Sequence, residues 1–359
     1  MTCFIQLHFL TVYPPSNPNR DEMGRPKSAV YGGVHRLRLS SQSLKRAARL
    51  SPAMSEALKG NMGERTQRMG DELVEHLRQR GADDEEARKI AEQVAEVFGK
   101  IDLAAAKRNP PRVRIRQLAF ISPEERHAAQ DMAERALAGE SLEKEARDRG
   151  KDILRTADGA VDLAMFGRML ADAPDFNREA AVQVSHAITT HRAEAEDDYY
   201  TAADDLKSPA EDVGAGFIGE AGFGSGVYYL YVCVDTGRLV ENLACDRALA
   251  SRALEAVTEA FATASPSGKR NSYSHHTRAS FIRAEAGSQQ PRSLAAAFLR
   301  PVTGEDLLGE SICRLRKTAA AIDKAYGPSV DSLVEMDLVG GTGTLVDIKA
   351  FVSGQLDNA

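Results

Sequence analysis

Clustered cysteine is what this 359-residue chain most clearly lacks. Its four cysteines, Cys3, Cys233, Cys245 and Cys313, are scattered and form no CxxC pair. That argues against a disulfide framework or a structural zinc site, and for a reducing cytoplasm. No run of about 18 apolar residues occurs, so no membrane span is expected. Met1 to Leu10 has neither a basic stretch nor a small-residue cleavage site, so a signal peptide is not expected. Gly222 to Gly226 is neither GxGxxG nor a Walker loop with its lysine, so nucleotide binding has no signature here. No Ser/His/Asp or Cys/His constellation emerges from spacing, and neither a metal nor a cofactor is expected. Internal repeats and low-complexity tails are also absent.

What is present begins with an uneven charge. The composition is that of an ordinary globular protein, 43% hydrophobic and 27% charged, long enough for two domains or one with large insertions. The net charge of −6 at first disfavours a polyanionic partner. Yet Arg20, Arg25, Lys27, Arg36, Arg38, Lys45, Arg46 and Arg49 face only Asp21 and Glu22 within residues 20–49, which leaves that window at +6 and the remainder at −12. A local basic block of this kind is the electrostatic footprint of a nucleic-acid contact.

Alternating apolar positions mark residues 3–12 as a strand, followed by a Pro/Asn/Gly-rich loop over 14–33 and a second strand, Val34–Leu39. Ser40 or Ser41 can cap a short helix from Gln42 to Leu50. Residues 53–107 and 123–150 have helical spacing and are broken at Asn109-Pro110-Pro111. β character returns at 161–166 and 180–188, around a long turn between Arg168 and Asn177. An acidic stretch, Glu194 to Asp198, precedes Tyr199-Tyr200-Thr201, and 227–235 is the strongest strand signal. A helix over 247–264, a strand over 278–284, a helix starting near Leu294, another over 305–325 and a late strand over 333–339 complete the order. Strands and helices in this sequence predict an α+β fold, an RRM-like (ferredoxin-like) sheet interrupted by a helical insertion.

The blocks Asn19-Arg20-Asp21-Glu22-Met23, Tyr31-Gly32-Gly33 and Arg36-Leu37-Arg38-Leu39-Ser40-Ser41-Gln42-Ser43-Leu44-Lys45-Arg46 resemble the N-terminus of the CasC family, the guide-RNA-binding backbone subunit of the type I-E CRISPR complex Cascade. Phe166-Gly167-Arg168-Met169, Ser185-His186-Ala187-Ile188-Thr189-Thr190-His191, Tyr200 to Leu206, Gly224 to Tyr229 and Gly268 to Tyr273 follow in the family's order. The resemblance covers most of the chain and is weakest over 55–150. It implies an RRM-like palm (1–52 and 223–359), a helical fingers insertion (53–155), and a β-hairpin thumb with its connection (156–222). It further implies copies of the chain lined up along a CRISPR guide RNA, other Cascade subunits as partners, a target DNA strand paired to the guide, and no catalytic residue.

Physical reading of the residues runs alongside. Arg20, Lys27, Lys45, Arg46 and Arg49 suit phosphates, giving an affinity that ignores sequence and falls with salt. Gln42 and Lys45 lie three apart on one helix face, while Ser40, Ser41, Ser43 and the helix N-terminus can donate to a phosphate. Backbone reading of this kind leaves base edges free to pair with a target. The plainer alternative is a solvated basic face behind an N-cap serine. Arg36 and Arg38 share a strand face and can equally pair with acids. Phe166, Arg168 and Met169 are expected at the thumb tip, an apolar wedge between bases beside a cation, although a Met or Phe next to a turn is otherwise usually core. Tyr200, with Thr201 beside it, can stack on a base or lie plainly on the surface. Two rivals remain: an RNA endonuclease using His275 or the acidic loop around Asp197, and a single-stranded RNA binder acting alone. His186 and His191, five apart on a strand, point to opposite faces and cannot easily chelate one metal.

Overall fold

Strand β1 (Phe4–Ser16) shows why alternation here builds a buried sheet rather than a half-exposed one. Ile5, Leu7 and Phe9 fall on one face and are fully buried; Gln6, His8 and Leu10 fall on the other and are buried as well. The polar members are tolerated because they are bonded. The Tyr229 hydroxyl accepts the Leu294 N–H (3.0 Å) and donates to His8 Nδ1 (2.9 Å), which aims Nε2 at Glu285 Oε2, 3.4 Å away. Gln6 Oε1 takes both the Tyr231 hydroxyl and the Arg292 N–H. A buried polar group is costly only when left unpaired.

The structure, a computed structural model, describes residues 3–140, 159–170, 177–202 and 217–356. The end of the expected helix (141–150), the middle of the expected turn (171–176) and the end of the Tyr200 to Leu206 block lie outside these residues. Two units are distinct: residues 1–54, 184–234 and 254–359 form one, 55–183 and 235–253 the other. Segment 235–253, expected in the palm, therefore goes with the helical unit, as does 156–183 of the expected thumb.

In the first unit a broad sheet runs β11-β10-β1-β9-β7-β3-β2. It uses β2 (Ser28–Tyr31), β3 (Val34–Leu39), β7 (Ala187–Thr189), β9 (Phe217–Asp235), β10 (Ala279–Gly287) and β11 (Ser332–Asp337), with the short β6 (Val182–Val184) preceding β7 in the chain. The pairings β1–β10, β10–β11, β2–β3, β3–β7 and β7–β9 are antiparallel. Leu10, Tyr229 and Phe281 pack with Leu294, Phe298, Ile312 and Leu315, the last two from helix α11 (Leu307–Tyr326). The second unit is mostly helical. Leu73 and Leu77 of α3 (Met69–Gln79), Ile90 and Val94 of α4 (Asp84–Ala95), and Ala129 and Met132 of α6 (Pro123–Leu137) share one core. A small antiparallel pair, β4 (Glu64–Thr66) with β5 (Ala119–Ile121), edges it. Short helices α2 (Pro52–Ala57) and α5 (Leu103–Ala106) punctuate the chain, and α9 (Arg247–Thr263) matches the helix expected over 247–264.

The structure corrects three expectations. Val161–Phe166 is a helix, α7, not a strand. Residues 161–165 are all buried, so no exposed face shows a period, and Asp162 is bonded to the Gly63 N–H (2.7 Å). The acidic stretch is a strand, β8 (Glu196–Ala202), carried by its antiparallel pairing with β9 from Glu196↔Phe223 to Ala202↔Phe217. Near Leu294 there is only a 3₁₀ turn, Ala295–Phe298. Helices α8 (Thr236–Asn242) and α12 (Leu345–Gly354) have no counterpart in the sequence pattern. Among the described residues no helix is long and apolar enough to cross a membrane.

Candidate nucleic-acid interface

Helix α1 (Ser41–Arg49) carries the densest part of the basic block. Ser40 is its N-cap, with extended φ −72° and ψ 144°, and its hydroxyl accepts the Ser43 N–H. The Ser40 N–H is itself held by Asn19 Oδ1 (2.8 Å). Ser40 is only 9% exposed. The cap uses the Ser40 hydroxyl oxygen as an acceptor and leaves its O–H as the donor for an incoming phosphate. The next N–H, of Ser41, is also taken: it donates to His186 Nδ1 at 2.9 Å.

Past the cap, the faces of α1 separate cleanly. Leu44 and Ala48, four apart, are buried. Gln42, Lys45, Arg46 and Arg49 recur at i, i+3, i+4 and i+7 on the other side; Gln42 and Arg46 are exposed, Lys45 and Arg49 half-buried. Partial burial lowers the Lys45 pKa. Its ammonium is thus incompletely hydrated, which strengthens any ion pair it makes with an arriving anion. Ser43 is half-buried on the same helix.

A second positive spot lies at the start of α1. The Lys27 carbonyl accepts the Arg38 N–H (2.8 Å), and the Arg38 guanidinium stands 3.5 Å from His186 Nδ1. Burial, Arg38 and Lys27, in that order, lower the His186 pKa. Because Nδ1 accepts a backbone N–H, the ring is neutral with its proton on Nε2. Arg38 and His186 are members of this spot that sequence reasoning leaves undecided or weighs only as a metal ligand. The alternation of β3, which puts Arg38 two residues ahead of the cap, is the available signal. Arg20 is exposed, at an isolated bridge to Pro26. Arg36 behaves differently. It is fully buried, and its guanidinium reaches the carbonyls of Tyr31, Thr189 (3.1 Å) and Phe298 (2.9 Å), so it holds backbone rather than any acid.

Tyr200 lies on β8, 46% exposed, its ring against Gly219 on the paired strand, where a Cβ would stand 2.5 Å away. Thr201 follows it, exposed. Asp197 of the same strand is engaged by the Arg25 guanidinium. His275, the other group a nuclease would need, is fully buried with Nε2 donating to the Pro266 carbonyl (3.0 Å). His191 donates from Nδ1 to Arg192 O and accepts the Val227 N–H on Nε2. No group of three or more His, Cys, Asp or Glu able to hold a metal occurs among the described residues.

The Phe166–Met169 segment belongs to the helical unit, and its three members part company. Phe166 ends α7 and is half-buried. Arg168 is 5% exposed, its Nη1 bonded to both Glu125 oxygens (2.5 and 2.7 Å) and to the Phe120 carbonyl. Arg168 is thus corrected from a kink-holding cation to the inner partner of a buried ion pair. Met169, between Arg168 and the buried Leu170, is 83% exposed. Bridge hydrogen bonds between Arg168 and Arg178 in both directions, and the Leu170 N–H on Asn177 Oδ1, fix the backbone on either side of it.

The fold of this chain is similar to that of chains solved in CRISPR surveillance assemblies. A chain of a "CRISPR RNA-guided surveillance complex, pre-nicking" superposes with a TM-score of 0.86 at 29% identity, over 98% of this chain and 99% of that one. A chain of a "CRISPR RNA-guided surveillance complex" gives 0.71 at 26%, over 99% and 100%. No curated protein matches the chain. The chain belongs to the CT1975-like protein family, whose model matches residues 5–344, and this is the CasC-like family to which the SSQSLKR and SHAITTH blocks point.

Proposed function

We propose that the chain is a non-catalytic backbone subunit of a type I-E Cascade-like complex, binding a CRISPR guide RNA, assembling with copies of itself along it, and presenting it to a target DNA strand in antiviral defence. The sheet unit acts as an RRM-like palm and the helical unit as fingers. The observation that carries the reading is the row Gln42, Lys45, Arg46 and Arg49 on one side of α1, in a chain whose net charge is negative. Neutralising phosphates through counterion release is what such a row does, and it reads no base. Lys27 and Arg20 extend the row, Tyr200 offers a ring face to a base with Thr201 beside it, and exposed Met169 is the apolar wedge. Burial of His275 and engagement of Asp197 by Arg25 support binding over cleavage.

Native mass spectrometry with guide RNAs of increasing length tests this, each mixture also being run on a denaturing gel with and without Mg²⁺. Intact RNA gaining one copy per roughly six nucleotides is the expected result. Cut RNA, or one bound copy at every length, would replace it by the nuclease or the lone binder. Lys45→Ala with Arg49→Ala weakens binding alike for all sequences and lowers the salt slope by about 1.4, at about 0.7 per phosphate on single strands.

A further inference from the structure

Behind α1 lies a recess of about 500 Å³ that no residue of the proposed RNA row accounts for by itself. Its near wall is Ser43, Arg46, Ala47 and Leu50; its far walls are the 263–270 loop and residues 276–278. Three arginines (Arg46, Arg270, Arg278) and His276 line it, with the hydroxyl residues Ser43, Ser267 and Thr277, and no Asp or Glu is among the lining residues. Such a lining is unusual for this molecule. Acids outnumber bases overall, and several arginines elsewhere in the same unit rest on carboxylates, among them Arg25 on Asp197, Arg192 on Glu194, Arg314 on Glu310 and Arg316 on Glu335. A cationic recess without its own counterion is built for an anion brought from outside.

The far wall is also a made loop rather than a slack one. Lys269 and Ser274 both adopt left-handed φ (46° and 48°) on either side of the short helix α10 (Arg270–Tyr273). A Cβ on Gly268 would collide with the Pro18 carbonyl, so only glycine lets the loop close against the chain just past β1. His275 fastens the loop from within through Pro266 O, and the Ser265 hydroxyl donates to the His275 carbonyl (3.2 Å). Arg270 donates to the Ser265 carbonyl, so its guanidinium is oriented before any ligand arrives.

We propose that this recess is a phosphate-binding subsite, taking a nucleotide phosphate on Arg46, Arg270 and Arg278 with the sugar against Ala47, Leu50 and Pro266. The size suits one nucleotide rather than a strand. The phosphate has two possible sources, the backbone of the bound guide RNA or a free nucleotide; the first rests on the function proposed above.

Arg278→Ala tests it, since Arg278 is an exposed lining residue that the packing of the sheet unit does not enclose. Arg278→Lys is the companion variant, and circular dichroism verifies that both fold. Single-stranded RNA of guide length is titrated at several salt concentrations, and adenosine monophosphate is titrated by calorimetry. If the RNA phosphate is the ligand, Arg278→Ala weakens RNA binding roughly tenfold and lowers the salt slope by about 0.7, while Arg278→Lys retains most of both. If a free nucleotide is the ligand, adenosine monophosphate binds the wild type and not Arg278→Ala, and RNA binding is unchanged. Unchanged RNA binding with no nucleotide binding overturns the subsite. Lys45→Ala in parallel separates the two ideas: if it weakens RNA binding while Arg278→Ala does not, only the subsite falls.

Discussion

Replacing Arg168 by Met removes one half of the Glu125–Arg168 pair, and the cost depends on pH in a way the structure lets one work out. Both side chains are essentially inaccessible, at 1% and 0%. Breaking a buried pair from one side costs about 3–5 kcal/mol because the remaining charge is stranded. Glu125, however, has an escape. Burial already lifts its pKa, with Arg168 opposing the rise, so losing the guanidinium lifts it further and makes protonation the way out of a stranded charge. Protonating a carboxyl with an ordinary pKa near 4.3 costs about 3.7 kcal/mol at pH 7 and about 1 kcal/mol at pH 5, at 1.36 kcal/mol per unit. Arg168→Met is therefore expected to destabilise the helical unit by about 3–4 kcal/mol at pH 7 and by about 1 kcal/mol at pH 5. Glu125→Gln has no such relief, since a guanidinium does not deprotonate in this range; the Gln carbonyl still accepts the Ser122 N–H of the helix α6 capping box, so the stranded charge is what it tests. Its cost stays near 3–5 kcal/mol at both pH values. Urea titration followed by far-ultraviolet circular dichroism reads both. An Arg168→Met penalty below about 1 kcal/mol at pH 7, or one that does not shrink at pH 5, refutes the stranded-charge reasoning.

Arg36→Met strands three buried carbonyls and lowers stability by several kcal/mol, at about 1–3 kcal/mol for each lost partner; a urea midpoint close to wild type would contradict it. Gly32→Ala drives a Cβ into the Leu299 carbonyl at φ +62°, whereas Gly24→Ala, at φ +82° with open space around it, costs only about 1 kcal/mol; equal melting shifts for the two would show that the close approach is not felt. In the free chain His186 titrates below 6.5, so its contribution to stability is intact above that value and declines as pH falls towards its lowered folded pKa. Phosphates arriving beside Lys27 and Arg38 raise that pKa, so RNA binding takes up a proton and tightens on acidification. Ring chemical shifts of His186 that titrate identically with and without RNA would remove it from the interface.

Legibility in the sequence differs from residue to residue, and the reason is consistent. β3 and α1 can be placed to within a residue or two because alternation and a capping serine are local signals, decided by the residues themselves. The α7 segment, Val-Asp-Leu-Ala-Met-Phe, reads as a strand because burial on every side erases the period by which a strand and a helix are told apart. β8 reads as a loop because its pairing is a property of β9, further along the chain. The candidate site divides in the same way. The basic row on α1 follows from the spacing of four residues within one helix. Which cations are spent internally follows from partners 43 residues away for Arg168, and 153 and 262 away for Arg36. Charge counted along a sequence therefore overstates the interface wherever an arginine has a distant carbonyl or carboxylate waiting for it. It also misses neighbours such as Arg278, a basic residue far along the chain that folds back to share a recess with Arg46 of the row that the local pattern already marks.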